Sequence, residues 1–229
     1  MKIPFFHYTY LESLTSIVKD KRIESRSHLL KSGKRFSEIS IDPSQEHREK
    51  LGLTNYVPLF PGFHALYRSY QLYCYLAKEY DQPKVQNKSF YGTLNKVLQF
   101  KQGIKYDNVI IFLINDEFVY SLADQGKVRF FSDIAIKDTA VELEVTDSES
   151  LKLCLLSCID GSNISGEVDL LDNGEGAVSI NNVDAIIVDS KEIGKQIIAI
   201  LGSCVKVIET KIFVMPLPRN NPCKFDFGF

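Results

Sequence analysis

Val109-Ile110-Ile111-Phe112-Leu113-Ile114 is an unbroken apolar run rich in β-branched residues. Its length and composition predict a strand buried on both faces. A second run, Asp184-Ala185-Ile186-Ile187-Val188, predicts another strand. Asp189 or Ser190 can then cap a helix from Glu192 to Leu201. These two strands indicate a sheet, and the segments around them decide its class.

Working outward from these runs, the apolar periodicity predicts further helices and strands. The predicted helices are Leu11 to Lys19, Ala65 to Tyr80, and Ser148 to Cys158 with Asp147 or Ser148 as its cap. The predicted strands are Asn55 to Phe60, Val128 to Phe131, Ala140 to Val145, Val205 to Ile208, and Ile212 to Met215. Ser25 to Gly52 is polar and basic, which predicts a long loop or a short helix between loops.

Strands and helices alternate only in part, and the closing strands are short and hairpin-like. This pattern favours one α+β domain over residues 1–229 rather than a doubly wound fold. The sequence contains neither G-x-G-x-x-G nor G-x-x-x-x-G-K-[ST], which argues against the nucleotide-binding folds that carry them.

Composition narrows the class of protein further. The chain is 45% hydrophobic and 24% charged, as is usual for a globular protein. No run approaches the ~20 apolar residues of a membrane span, and no leader peptide is evident. The five cysteines are scattered without zinc-ligand spacing. We therefore expect a cytoplasmic protein with reduced thiols, no membrane contact and no metal.

The charge is unevenly distributed along the chain. Residues 1–104 hold 16 lysines and arginines against 9 acidic residues, whereas residues 105–229 hold 11 against 20. A basic first part is compatible with an anionic partner, but it is equally compatible with two halves that simply differ in composition.

Several segments, taken in order, resemble the DarT-like family of DNA ADP-ribosyltransferase toxins. The matching segments are Phe6 to Leu14 with Ile17-Val18 and Arg22-Ile23, Gln45 to Arg48, Asn55 to Pro61 with Ala65 to Tyr67, Phe118 to Tyr120 with Lys127 to Phe131 as a strand pair, and Gly174 to Val178 ahead of Asp184 to Val188. The resemblance implies an ADP-ribosyltransferase-like fold, in which helices flank a central split, mostly antiparallel sheet. It also implies NAD-dependent transfer of ADP-ribose to a base in single-stranded DNA.

The resemblance implies that Glu175 is the catalytic glutamate, with Glu167 and Asp169 as alternatives. Breaking the bond between nicotinamide and ribose puts positive charge on the sugar, and a nearby carboxylate can stabilise it or accept a proton. An ordinary turn glutamate is the competing interpretation, because Asn173-Gly174-Glu175-Gly176 also looks like a hairpin turn.

The resemblance assigns Arg48 to the NAD diphosphate or the transferring group, where a guanidinium can form paired hydrogen bonds. His7 and Thr9 project to one side of an extended segment and, in the resemblance, hold the ribose and nicotinamide end of NAD. Ser13 belongs to the same opening motif, and Tyr56 and Tyr67 are candidates for stacking. A solvated Arg48, an exposed strand and core tyrosines are the alternatives.

For the acceptor strand, we expect a basic track with aromatic stacking platforms. The residues predicted to bind nucleic acid are Arg22, Arg26, Lys31, Lys34 and Arg35. RNA is an alternative acceptor, as is protein, and an inactive interaction module of the same fold is a third possibility. The resemblance further implies a toxin of a toxin–antitoxin or phage-defence system, with a macrodomain-type antitoxin as its partner.

Overall fold

The computed structural model describes residues 3–34, 47–62, 65, 109–135, 139–160, 163–164, 166–188, 191–201 and 211–214. The strands are β1 (Phe5–Tyr10), β2 (Arg22–Ile23), β3 (Tyr56–Pro61), β4 (Val109–Ile114), β5 (Val128–Phe131), β6 (Glu142–Leu143), β7 (Ile159–Asp160), β8 (Asn163–Ile164), β9 (Glu167–Leu171), β10 (Val178–Ser179), β11 (Val183–Val188) and β12 (Lys211–Val214). The helices are α1 (Leu11–Asp20), α2 (Arg26–Lys31), α3 (Asp116–Ala123), α4 (Ser148–Ser157) and α5 (Lys191–Leu201).

Eight of these strands form one sheet in the order β12-β11-β4-β1-β3-β9-β5-β6. Its neighbouring strands run antiparallel except for β11 and β12, which are parallel. The predicted α+β class is therefore confirmed. Strand β12 pairs in parallel with β11, and α5 lies between them in sequence, as parallel pairing requires a crossover. The other predicted closing strand, Val205 to Ile208, lies outside the described residues, so its hairpin-like pairing stays a prediction.

The sheet is split between β1 and β3. Strand β1 pairs with β4 along its whole length, but with β3 only at Phe5–Pro61 and Phe6–Phe60. Beyond Phe6 the two strands no longer pair. A central split in a mostly antiparallel sheet is thus present, as the family resemblance implies.

The two faces of the sheet differ because side chains alternate along each strand. One face carries the main core, in which Phe112, Phe130 and Leu59 are fully buried. The opposite face carries a smaller cluster centred on Leu53 and Phe131. This second face also bears Glu167 and Asp169 of β9, so the sheet separates the main core from these two carboxylates.

Most strongly periodic segments form the predicted elements. Val109–Ile114 and Val128–Phe131 have the predicted bounds, and α1, α4, β3, β11 and α5 differ from theirs by a residue or so. Asp147 caps α4 by accepting a 2.7 Å hydrogen bond from the Ser150 amide. Ser25 to Gly52 includes the short helix α2, and Ala140 to Val145 is reduced to Glu142–Leu143.

One predicted strand is a helix. Phe118 to Tyr120 belongs to α3, because the Asn115 side chain caps the helix and two acidic residues occupy its first turn. The predicted helix from Ala65 to Tyr80 lies outside the described residues apart from Ala65, and Val205 to Ile208 lies outside them entirely. Among the described residues, no helix is long and apolar enough to cross a membrane.

Candidate active site

Arg48 lies on a short helical turn, residues 47–53, which we call the Arg48 turn. The turn ends at Gly52, whose φ of 70° suits glycine. The Leu53 amide donates a 2.8 Å hydrogen bond to the Arg48 carbonyl, and the Gly52 amide donates one of 3.0 Å to the Glu49 carbonyl. These bonds form a Schellman motif, and the fully buried Leu53 anchors it. The backbone that carries Arg48 is thus fixed at its C-terminal end.

Strand β9 supplies two buried carboxylates. Glu167 and Asp169 project from one face of β9, whereas Val168 and Leu170 project into the main core. Glu167 is 1% exposed and Asp169 is 0% exposed. A carboxylate so deeply buried needs a partner.

The partner of both carboxylates is Arg48. Its Nη1 donates to Glu167 Oε1, and its Nη2 donates to Asp169 Oδ1. The second Glu167 oxygen, Oε2, accepts a 3.1 Å hydrogen bond from the Ala135 amide. Asp169 Oδ2 is buried and has no hydrogen-bond donor among the described residues. Arg48 therefore lies between two carboxylates, one of which keeps an unused oxygen.

Burial and charge perturb the ionisation of this cluster. The pKa of Glu167 is raised to about 8, chiefly by burial and next by the Asp169 charge, against the opposing effect of Arg48. Burial alone would lower the pKa of Arg48, but Asp169 and Glu167 outweigh it and hold that pKa above its ordinary value. Arg48 is therefore always charged, whereas Glu167 changes its charge near neutral pH.

His7 lies where β1 separates from β3. Its Nδ1 donates a 3.0 Å hydrogen bond to the Pro58 carbonyl, which leaves Nε2 as the acceptor of a neutral ring. Burial lowers the pKa of His7; the Pro58 bond opposes that effect and the Arg48 cation adds to it. By the alternation of side chains along β1, His7 lies on the face of Phe5, opposite to the face that carries Glu167 and Asp169. The ring also stacks on Phe112 at a centroid distance of 6.5 Å.

The other predicted cofactor-binding residues are placed as follows. Thr9 lies two residues beyond His7 on the same face of β1, and Ser13 lies on α1; both are half-buried. Tyr56 begins β3 on the face that carries Asp169, and its ring packs 5.6 Å from the Arg129 guanidinium. Tyr67 lies outside the described residues.

Glu175 lies apart from this cluster, in the turn between β9 and β10. The turn is organised by Asp172, whose Oδ1 accepts hydrogen bonds from the amides of Gly174 and Gly176. The Glu175 side chain is exposed, and its carbonyl accepts a 3.0 Å hydrogen bond from Arg22. Its catalytic role stays a prediction, while the alternatives Glu167 and Asp169 contact Arg48.

Strand β9 is not among the strands predicted from the sequence. The signal was present, because Glu167-Val168-Asp169-Leu170 alternates polar and apolar residues, as a strand with one polar face does. The alternation predicts that the two carboxylates share a face. Their partner lies more than 100 positions away in sequence and cannot be read from that pattern.

The predicted nucleic-acid-binding residues lie on β2 and at α2. Buried Glu24 accepts from Arg22 Nε at 2.7 Å and from Lys34 Nζ at 2.7 Å. Lys34 also pairs with Asp20 at 3.1 Å. Lys31 is exposed and Arg26 is half-buried, while Arg35 lies outside the described residues. Two of the predicted cations therefore already neutralise internal carboxylates.

The first turn of α2 and the turn after β9 both border the chain that leaves the Arg48 turn. The Ser27 amide donates to the Thr54 carbonyl at 3.3 Å, and the Asp172 amide donates to the Asn55 carbonyl at 2.8 Å. Within the described part of the chain, no group of histidine, cysteine, aspartate or glutamate side chains is arranged so that it could hold a metal ion.

No protein-family model matches the sequence, and no curated protein matches it. Solved structures do resemble the fold. Thermus sp. 2.9 DarT in complex with ADP-ribosylated ssDNA matches with a TM-score of 0.60 and 13% identity, over 93% of each chain. The same protein in complex with NAD⁺ matches with a TM-score of 0.57 and 12% identity, over 93% of this chain and 94% of that one.

A third structure, Thermosipho africanus DarTG in complex with ADP-ribose, matches with a TM-score of 0.59 and 11% identity. The match covers 92% of this chain but 49% of that one. All three matches extend over more than 90% of this chain. The protein has a DarT-like fold.

Proposed function

We propose that the protein is an NAD-dependent mono-ADP-ribosyltransferase that modifies a base in single-stranded DNA. The observation that carries the proposal is the Arg48 guanidinium bound to the buried carboxylates of Glu167 and Asp169. The likeness to DarT structures that hold NAD⁺ and ADP-ribosylated single-stranded DNA supports both the co-substrate and the acceptor. At low identity the likeness concerns the fold, so the chemistry rests on these side chains.

Glu167 is the carboxylate we place beside the sugar, in preference to Glu175. NAD supplies an electrophilic ribose carbon once its bond to nicotinamide weakens. An ionised Glu167 stabilises positive charge at that carbon or accepts a proton from the attacking base. Its burial makes such an interaction stronger than it would be in water. Glu175 is exposed on a turn, whereas Glu167 is buried and binds Arg48 directly.

Arg48 supplies a fixed positive charge for a diphosphate. A guanidinium has five N–H donors, and the two contacts to β9 leave others available to a ligand. His7 stays neutral, so Nε2 can accept a hydrogen bond from a ribose hydroxyl or a carboxamide. Thr9 and Ser13 add hydroxyls on the side of β1. The unused buried oxygen of Asp169 is consistent with a site that expects a further donor.

For the acceptor strand, we propose an approach over α2, with Lys31 as the exposed cation. Arg26 and Arg35 remain candidates. Arg22 and Lys34 already form ion pairs with the buried Glu24 inside the protein. RNA or protein as the acceptor is the second candidate function, because nothing in these contacts selects deoxyribose.

The biological setting follows the same comparison. The match to Thermosipho africanus DarTG covers only 49% of the DarTG chain. This comparison supports a toxin with a dedicated antitoxin partner. We propose a macrodomain-type antitoxin, a role in a toxin–antitoxin or phage-defence system, and action in the cytoplasm.

The test is transfer of label from adenylate-labelled NAD to separate pools of single-stranded DNA, RNA and cell protein. We expect label in the DNA pool, abolished in Glu167→Gln and retained in Glu175→Gln. Loss in Glu175→Gln alone would return the catalytic role to the turn. Transfer only to RNA or only to protein would replace the proposed acceptor. No transfer by the folded wild-type protein would leave an inactive module of this fold.

A further inference from the structure

Asp169 stands out among the described residues because it is fully buried, charged and only half used. Oδ1 accepts from Arg48, whereas buried Oδ2 has no donor among the described residues. A structural carboxylate is normally saturated by donors. The donor to its other oxygen, Arg48, is shared with Glu167, so Asp169 helps to hold the guanidinium beside that carboxylate.

The charges around Glu167 do not balance. Two carboxylates face a single guanidinium, that of Arg48. From β5, the Arg129 cation lies opposite Asp169, but its Nε and Nη2 both donate to Glu142 of β6. From β1, His7 is neutral. From the loop after β5 the Ala135 amide donates to Glu167, while buried Asp133 accepts from the Ile134 amide and Thr139. The cluster therefore carries one negative charge in excess when both carboxylates are ionised.

We propose that Asp169 is a positioning residue, which holds the Arg48 guanidinium against Glu167 and whose charge sets the pH at which Glu167 ionises. The proposal rests on the proposed function for its catalytic consequence. Its electrostatic part concerns the folded protein alone.

The direction follows from the geometry. Glu167 acts as an anion, and a second anion two residues along the same strand disfavours that form. Burial and the Asp169 charge together raise the pKa of Glu167 to about 8. Activity of the wild-type protein should therefore rise as pH increases through that region. Removing the Asp169 charge while keeping an oxygen for Arg48 should move the rise to lower pH.

Asp169→Asn is the variant that separates charge from shape, because the amide oxygen can still accept from Arg48. We expect the midpoint of the rise in kcat/KM to fall by about one pH unit. Asp169→Glu retains the charge and should keep the midpoint near that of the wild type. Asp169→Ala also removes the hydrogen bond to Arg48 and should lower kcat/KM at least about tenfold at every pH. Glu149→Gln, on the exposed face of α4, serves as the control.

A second readout does not depend on activity. The Glu167 carboxyl carbon can be followed by NMR against pH in glutamate-labelled protein, with Glu167→Gln to assign its signal. A lower midpoint in Asp169→Asn supports the proposal even if no pool accepts label. An unchanged NMR midpoint in the folded variant overturns it, whatever the activity. If Asp169→Asn does not fold, Asp169→Ser removes the same charge and carries the same expectation.

Discussion

Arg129 Nη1 donates a 2.9 Å hydrogen bond to the carbonyl of Leu51, three residues after Arg48. The same guanidinium binds both oxygens of Glu142 and packs against the rings of Tyr56 and Phe131. Arg129 of β5 thus binds the backbone of the Arg48 turn, while the carboxylates of β9 bind the Arg48 side chain. Two neighbouring strands, β5 and β9, together fix the position of Arg48.

We expect Arg129→Lys to loosen the Arg48 turn, because a lysine cannot serve Glu142 and Leu51 with one planar fork. The free energy of unfolding should fall by about 1–2 kcal/mol, and transfer activity should fall with it. Urea denaturation measures the first effect and the label assay the second. Glu142→Gln is the matched control: it weakens a partly exposed ion pair and should cost less than about 1 kcal/mol.

We expect Gly166→Ala to be strongly destabilising. Gly166 precedes Glu167 with a φ of 146°, and an added Cβ would lie 2.8 Å from the Phe130 ring and 2.9 Å from the Phe131 carbonyl oxygen. Backbone strain and a clash in the core should together cost about 3 kcal/mol or more. Gly126→Ala is the control, because its φ is also positive (66°) but nothing lies within 4 Å. Equal losses in the two variants, measured by urea denaturation, would contradict the close packing before Glu167.

We expect the stability of the protein to depend on pH through Glu167. Its pKa rises from an ordinary 4.5 to about 8 on folding, so the folded state binds the proton more tightly. This stabilisation is complete below about pH 4.5 and is lost as pH rises through about 8. Glu167→Gln cannot ionise and should flatten this part of the profile of unfolding free energy between pH 5 and 8. A wild-type profile that rises throughout this window, and is unaffected by the substitution, would refute the assignment.

We expect His7→Ala to weaken NAD binding by about tenfold, because the ligand loses about one buried hydrogen bond. Its Nε2 acceptor disappears, and the bond from Nδ1 to Pro58 across the split disappears with it. Isothermal titration calorimetry measures the affinity. His28→Ala removes a histidine near Glu24, away from the split, and should bind NAD like the wild type.

We expect Lys31→Glu to weaken binding of single-stranded DNA. The plot of log affinity against log salt concentration should also become shallower, by about 0.7 for each phosphate that the variant no longer neutralises. Lys34→Ala should chiefly affect stability, because Glu24 and Asp20 already bind that ammonium and raise its pKa. Fluorescence anisotropy at several salt concentrations separates the two effects. Lys152→Glu on α4 is the control for a general change in charge.

Local chemistry determined much of the fold. Val109–Ile114 and Val128–Phe131 are strands because branched and aromatic side chains fit a pleated, buried surface. Asp147 fixes the start of α4, as its side chain and position predict. The resemblance to the DarT-like family, carried by short local segments, indicated Arg48 and His7 as candidate site residues. Such features need only neighbours along the chain.

Tertiary structure alone decided which carboxylate meets Arg48. Glu167 and Glu175 both follow glycine, and one-dimensional spacing does not say which lies on the strand and which on the turn. Burial decides it: Val168 and Leu170 fill the core, which places Glu167 and Asp169 on the opposite face beside Arg48. The split between β1 and β3 is likewise a long-range property, because it depends on where pairing stops between segments 50 residues apart. Pairing and burial over such separations are set by the whole packed sheet, and no local pattern encodes them.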